Sequence, residues 1–126
     1  MAVTFKAVAK KNPAKQTEPA KYFALAVNSG SINLRQLAKM ITERSTVKSA
    51  DTMAVLEGLL EVVPSALADG KIVRLGDFGS FSLGIKSEGV EDESKLYAKH
   101  INKTVIHFRP GAEFQNAMNN LEFTRI

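Results

Sequence analysis

Val73-Arg74-Leu75-Gly76-Asp77-Phe78-Gly79-Ser80-Phe81-Ser82-Leu83 is the stretch that decides how this chain is built. Two short strand-like runs meet there at a turn on Gly76 and Gly79, with Phe78 between the glycines and Phe81 just after them. Glycine at such points supplies backbone angles that a side chain forbids, or lets another backbone come close. Strands over Ile72–Leu75 and Phe81–Ile85 are therefore expected on either side. Phe78 and Phe81 read as core or subunit-interface packing rather than as platforms for stacked bases.

Upstream lie two helical patterns. Asn33 is placed as an N-cap, and Leu34, Leu37, Ala38 and Ile41 follow the i, i+3, i+4, i+7 spacing of a helix face. A longer helix is predicted from near Ser49, with Asp51 in its first turn, where the helix dipole favours negative charge. Met53, Leu56, Leu60, Val63 and Leu67 make its apolar stripe, which Ala54 and Leu59 widen. Pro64 falls inside that pattern and is expected to kink or interrupt the helix, and Gly70 to stop it.

Downstream, Lys86–Lys99 is a polar excursion, followed by an alternating run over Ile101–Phe108 that puts Thr104, Ile106 and Phe108 on one face. Pro110-Gly111 ends that strand, and Phe114, Ala117, Met118 and Leu121 mark a final helix. At the other end of the chain, Val3–Val8 alternates as a strand, Lys10–Glu18 reads as a loop, and Tyr22–Val27 as a second strand pairing with the first. A short helix is the alternative for Tyr22–Val27.

At 126 residues the chain has the size of one domain, and it has no cysteine for a disulfide, a thiol nucleophile or a thiolate metal site. Met1–Lys11 alternates lysines with apolar residues and does not read as a secretory signal, and no run approaches a membrane span. The expected setting is the cytoplasm. The net charge is +4, yet residues 1–21 already carry five lysines against Glu18, so the remaining chain is balanced. An anionic partner must then meet local patches or the N-terminal segment.

The order β-β, α-α, β-β, polar arm, β, α contains, from about Asn33 to Asn120, the order of the bacterial HU/IHF family of architectural DNA-binding proteins. The chain resembles that family in its helix pair, in Gly76-Asp77-Phe78-Gly79-Ser80-Phe81 and in Phe108-Arg109-Pro110-Gly111. With its N-terminal extension and proline-free arm it looks most like HU-related proteins of Bacteroidetes. The resemblance implies an α+β fold: an intertwined dimer with a helical body, a β-sheet saddle and a β-arm, here with an extra N-terminal β-hairpin. Residues 1–30 would be the extension and 31–126 the HU-like DNA-binding domain.

By the same resemblance, Gly79 and Ser80 would contact phosphates, with Arg74, Lys86, Lys103 and Arg109 as cations on or beside the saddle and Lys95 and Lys99 on the arm. Such contacts position a protein on DNA without reading sequence. Three departures bear on the function. Residues 87–100 hold no proline to wedge between base steps, Glu88, Glu91, Asp92 and Glu93 crowd the arm's first half, and Ala112 and Gln115 stand where family members commonly place lysines. The implied function is sequence-tolerant binding of double-stranded DNA by a homodimer in the nucleoid, without proline-wedge kinking. The alternative is an HU-fold module that binds protein and has little DNA affinity.

The remaining features carry less. Lys10, Lys11 and Lys15, with Lys21, read either as an extra DNA patch or as a solvated loop whose lysines blunt a sheet edge. Asn12-Pro13 reads as a turn starter before it reads as a wedge, and the Glu88–Glu93 run as a solvated loop before a cation or basic-partner site. His100 and His107 point to opposite strand faces with no cysteine to join them, so no metal site is expected. The Asn102-Lys103-Thr104 sequon has no meaning in the cytoplasm. No nucleophile elbow, phosphate loop, metalloprotease helix or dinucleotide fingerprint is present, so neither an enzyme, a cofactor nor a small-molecule substrate is expected.

Overall fold

In the computed structural model, β1 (Ala2–Lys10) and β2 (Lys21–Val27) form an antiparallel hairpin, with Lys10 opposite Lys21 and Thr4 opposite Val27. The structure describes residues 2–15 and 17–126; Met1, where the first run was read to begin its segment, and Gln16, inside the expected loop, lie outside the described residues. The loop is held by turns: the Asn12 side chain accepts from the Ala14 amide at 3.0 Å, and the Lys15 amide donates to the Asn12 carbonyl at 3.0 Å. Asn12-Pro13 thus starts a turn.

Helices α1 (Leu34–Thr42) and α2 (Ser49–Ala68) pack through small residues. Ala38 is fully buried, and the Thr42 hydroxyl lies 3.2 Å from that of Thr52, which donates back to the Lys48 carbonyl at 3.1 Å. A buried threonine at the crossing is therefore satisfied. Helix α2 runs on through Pro64 to Ala68, so of the kink or interruption expected there the interruption does not occur. Only the one hydrogen bond to the preceding turn is forfeited, and the apolar run on both sides carries the helix on. It stops as expected: Gly70 takes φ +81°, its amide donates to Leu67, and the Lys71 amide reaches back to Ala66, a Schellman closure.

A second antiparallel sheet has the order β3 (Val73–Arg74), β4 (Gly79–Ser87), β5 (Ile101–Pro110). The first strand is shorter than Ile72–Leu75 because Leu75 already turns: its amide donates to the Gly79 carbonyl at 2.8 Å around a 3-10 turn over Gly76–Phe78. Pairing of β4 with β5 ends at Ser87 opposite Ile101, after a shift of register at Lys86. The excursion beyond it folds as 3-10 turns at Glu93–Lys95 and Ala98–His100 rather than as an extended β-ribbon. It lacks the period-two alternation a ribbon needs, and the Asp92 side chain caps the first turn through the Ser94 amide.

The last helix, α3 (Ala112–Ala117), is shorter than the predicted run to Leu121. The chain then forms β6 (Glu122–Arg125), a strand the sequence reading did not include, which pairs in parallel with β1. The chain accordingly makes two compact units: Met1–Asn33 with Ala117–Ile126, holding the sheet β2-β1-β6, and Leu34–Asn116, holding the helices and the sheet β3-β4-β5. Within the first unit, Glu122–Arg125 pair with β1 in the sheet that also holds the N-terminal hairpin.

Candidate nucleic-acid interface

Alternation along β4 sorts its residues onto two faces, and the register carries each face across the sheet. On one face Arg74, Ser80 and Arg109 form a single row over three strands. Ser82 lies opposite His107, Gly84 opposite Val105, and Lys86 opposite Lys103 on the same face. From Ser80 to Lys86 it extends about 20 Å at the usual rise per residue. Four permanent cations and one histidine line it, and no carboxylate stands in these rows. Two like charges directly opposite, as in Lys86 and Lys103, cost stability in a sheet by themselves. They belong on a surface that meets anions.

The row's end opens into a groove of about 880 Å³ lined by Arg74, Ser80, Ser82, Arg109 and the backbone of Gly79 and Gly111. Ala112 and Gln115 also line it, so this end has hydrogen-bonding and small side chains where further lysines would add charge. Gly79 is required here. Its φ is +148°, and a Cβ would meet the Arg109 carbonyl at 2.6 Å and the Phe108 ring at 2.8 Å. Gly111 is held as tightly, since its Cβ would collide with the Asp77 backbone while its amide donates to the Phe78 carbonyl at 3.0 Å.

The opposite face is apolar and anchors the row. Phe81 lies 4.8 Å from Phe108 between ring centroids, Phe78 lies 5.8 Å from Phe108, and Phe78 meets Phe114 edge-on at 5.0 Å. Phe78 and Phe81 are thus packing residues, and edge-to-face contact adds about 0.5–1.5 kcal/mol per pair beyond area burial.

Of the expected site residues, Arg74, Ser80, Lys86, Lys103 and Arg109 share this face, and Gly79 shapes it from behind. Lys95 and Lys99 do not; they lie in the folded excursion, where the Lys99 ammonium sits 5.9 Å from the Tyr97 ring centroid. Lys10, Lys11 and Lys15 lie on the hairpin of the other unit, and Lys15 pairs with Glu18 at 3.6 Å. Sequence reasoning missed His107. Its ring lies over Gly84, where a Cβ would come within 2.6 Å of Nε2. Counting back by twos from Arg109 would have placed it on the cationic face.

Among the described residues no helix is long and apolar enough to cross a membrane. Comparison with solved structures shows the fold. A crystal structure of a protein from Bacteroides vulgatus ATCC 8482 superposes with TM-score 0.67 at 15% identity, over 98% of this chain and 49% of that one, so the chain spans about half that protein's length. The Anabaena HU–DNA cocrystal structure superposes with TM-score 0.56 at 22% identity, over 71% of this chain and 99% of that one.

Sequence relatives include integration host factor subunit beta of Ectopseudomonas mendocina (strain ymp), 30% identical over 88 residues, 68% of this chain and 93% of that one. The same subunit from Stutzerimonas stutzeri (strain A1501) is 29% identical over 86 residues, 67% of this chain and 92% of that one. A family model described as an HU domain fused to wHTH, Ig, or Glycine-rich motif matches residues 1–125, so the N-terminal hairpin falls inside the matched span. With its cationic sheet face, its HU-like fold and these relatives, the chain belongs to the HU/IHF family of DNA-binding proteins, in the branch in which an HU domain is fused to a further motif.

Proposed function

We propose that the chain is an architectural protein of the cytoplasmic nucleoid that binds double-stranded DNA as a homodimer, largely without reading sequence and without proline-wedge kinking. The observation that carries this is the row Arg74–Ser80–Arg109 with Lys86–Lys103 on one sheet face. Cations and hydroxyls spaced along strands match a phosphate backbone, whose contacts position a protein without carrying sequence information. No proline lies between Ser87 and His100 to unstack a base step. Lys10, Lys11 and Lys15 add cations from the hairpin, with Lys15 already shared with Glu18. Lys95 and Lys99 offset part of the acidic tip.

The homodimer is supported by an unfinished core. A groove of about 640 Å³ runs between α2 and the apolar sheet face, lined by Leu60, Val63, Leu83 and Ile106 among others. Leu60 is 59% exposed and Ile106 67%. A second copy would close it.

Anisotropy of a labelled duplex of about 30 base pairs, titrated at several salt concentrations, tests the reading. Affinity should fall steeply with salt. Lys86→Glu with Lys103→Glu should weaken binding by about tenfold or more and flatten the salt dependence, as lost phosphate contacts do. Flat titrations at low salt would favour the second reading, a protein-binding module. The folded tip with Glu88, Glu91, Asp92 and Glu93 speaks for that one.

A further inference from the structure

The loop end of the N-terminal hairpin repeats, in the other unit, the electrostatic device of the cationic face. Lys10 lies directly opposite Lys21, as Lys86 lies opposite Lys103. In antiparallel pairs such Cα atoms stand about 4.5–5.5 Å apart, so both ammonium groups can converge on one anion. Lys6 shares their face by alternation, and Lys11 follows directly after the strand. The one carboxylate at this end, Glu18, is engaged by Lys15 at 3.6 Å. Glu122 shares the face only at its far end, opposite Ala2.

Beside these lysines is a half-exposed aromatic ring with the Lys10 ammonium over it. Phe23 is 50% exposed, on the same face, and the Lys10 ammonium stands 5.7 Å from its centroid. Lys10, Lys11, Lys21, Asn12 and Phe23, with Pro19 and the Lys15-paired Glu18, line a recess of about 340 Å³. That lies at the small end of the ~300–1,000 Å³ found for small-ligand sites. The turn-bound loop described above holds its walls in place.

We propose that this recess is a second nucleic-acid site, taking an unpaired strand: Lys10 and Lys21 clamp a phosphate while the neighbouring base stacks on Phe23. A duplex keeps its base faces within the stack unless a step is kinked open, so a half-exposed phenyl ring beside a phosphate clamp suits an unpaired strand better. On a single strand every base offers a π-face, and cation-plus-aromatic grooves bind such strands without sequence preference. This deepens the nucleic-acid reading of the hairpin lysines and is independent of the sheet face of the other unit. Unpaired DNA and RNA share the chemistry.

The test uses the full chain with 5′-labelled dT20 and rU20 in low salt, beside the labelled duplex. Wild-type protein should bind at least one of the two strands, and the ratio between them names the source. Lys10→Glu with Lys21→Glu should weaken strand binding by about tenfold and duplex binding by a distinctly smaller factor, since the sheet face supplies the duplex's other cations. Phe23→Leu should weaken strand binding by about fivefold with little change in its salt dependence, because it removes stacking and not charge. Lys86→Glu with Lys103→Glu should do the reverse, sparing the strand and losing the duplex. Lys21→Gln guards against misfolding: relieving the like-charge pair should leave the melting temperature unchanged or higher while strand affinity falls. Strand affinity unmoved by the hairpin variants overturns the proposal. So does a parallel loss of strand and duplex in the hairpin double variant, or wild-type protein that binds neither strand. Wild-type protein that binds a strand but no duplex would refute the sheet-face reading and leave this one standing.

Discussion

Three glycines with different surroundings separate backbone need from side-chain convenience. At Gly79 the positive φ and the fixed Arg109 carbonyl leave a Cβ nowhere to go. Gly79→Ala should therefore destabilise the protein by about 2–4 kcal/mol, the sum of strain and overpacking, read as a lower urea midpoint. Gly84 meets only the far end of the His107 ring, which can swing aside. Gly84→Ala should cost less than about 1 kcal/mol in the same measurement while moving His107 off its place. If both variants melt alike, the account of Gly79 is wrong. Gly111 belongs with Gly79, since its obstacle is the Asp77 backbone. At this scale the sequence was legible where a residue has one use, as with Gly79 in its turn. His107 was not, because an imidazole among strand residues shows its role only once the register is known.

Among the elements, those with a long run of their pattern were read and the shortest ones were not. Helix α2 announced itself through about four turns of apolar spacing from Met53 to Leu67 and a glycine stop. Of the two outcomes expected at its proline, interruption is the one that fails: Pro64 leaves the Leu60 carbonyl without its usual donor, yet the helix continues to Ala68. Pro64→Ala would return that hydrogen bond and should raise stability by up to about 3 kcal/mol, seen as a higher melting temperature and equal or greater helical ellipticity. A drop would mean that the ring itself packs in the apolar groove it lines. Strand β6 escaped notice for the opposite reason. Glu122-Phe123-Thr124-Arg125 is too short to show alternation, and its partner β1 is at the other end of the chain. The folded excursion after Ser87 was legible as polar and acidic, but 3-10 turns leave no periodic trace in so few residues.

For the molecule as a whole, the described residues include only Ala38 and Leu67 as fully buried hydrophobics, while Val55, Leu60, Val62 and Ile106 stand more than half exposed. Apolar residues exposed along α2 and the sheet in this way call for a further surface to cover them. Ile106→Asp should abolish the dimer, giving a monomer mass by light scattering and a melting temperature that no longer rises with concentration. A dimer that survives the change would place the subunit contact elsewhere. The pairing of β6 with β1 has a consequence in time. Synthesis proceeds from the N-terminus at about 5–20 residues per second, and domains made first generally fold first. Here β1 is made before the helices and the second sheet but keeps one edge open until residues 122–125 exist. The helices and second sheet can be complete on the nascent chain while the strand that preceded them still waits for β6.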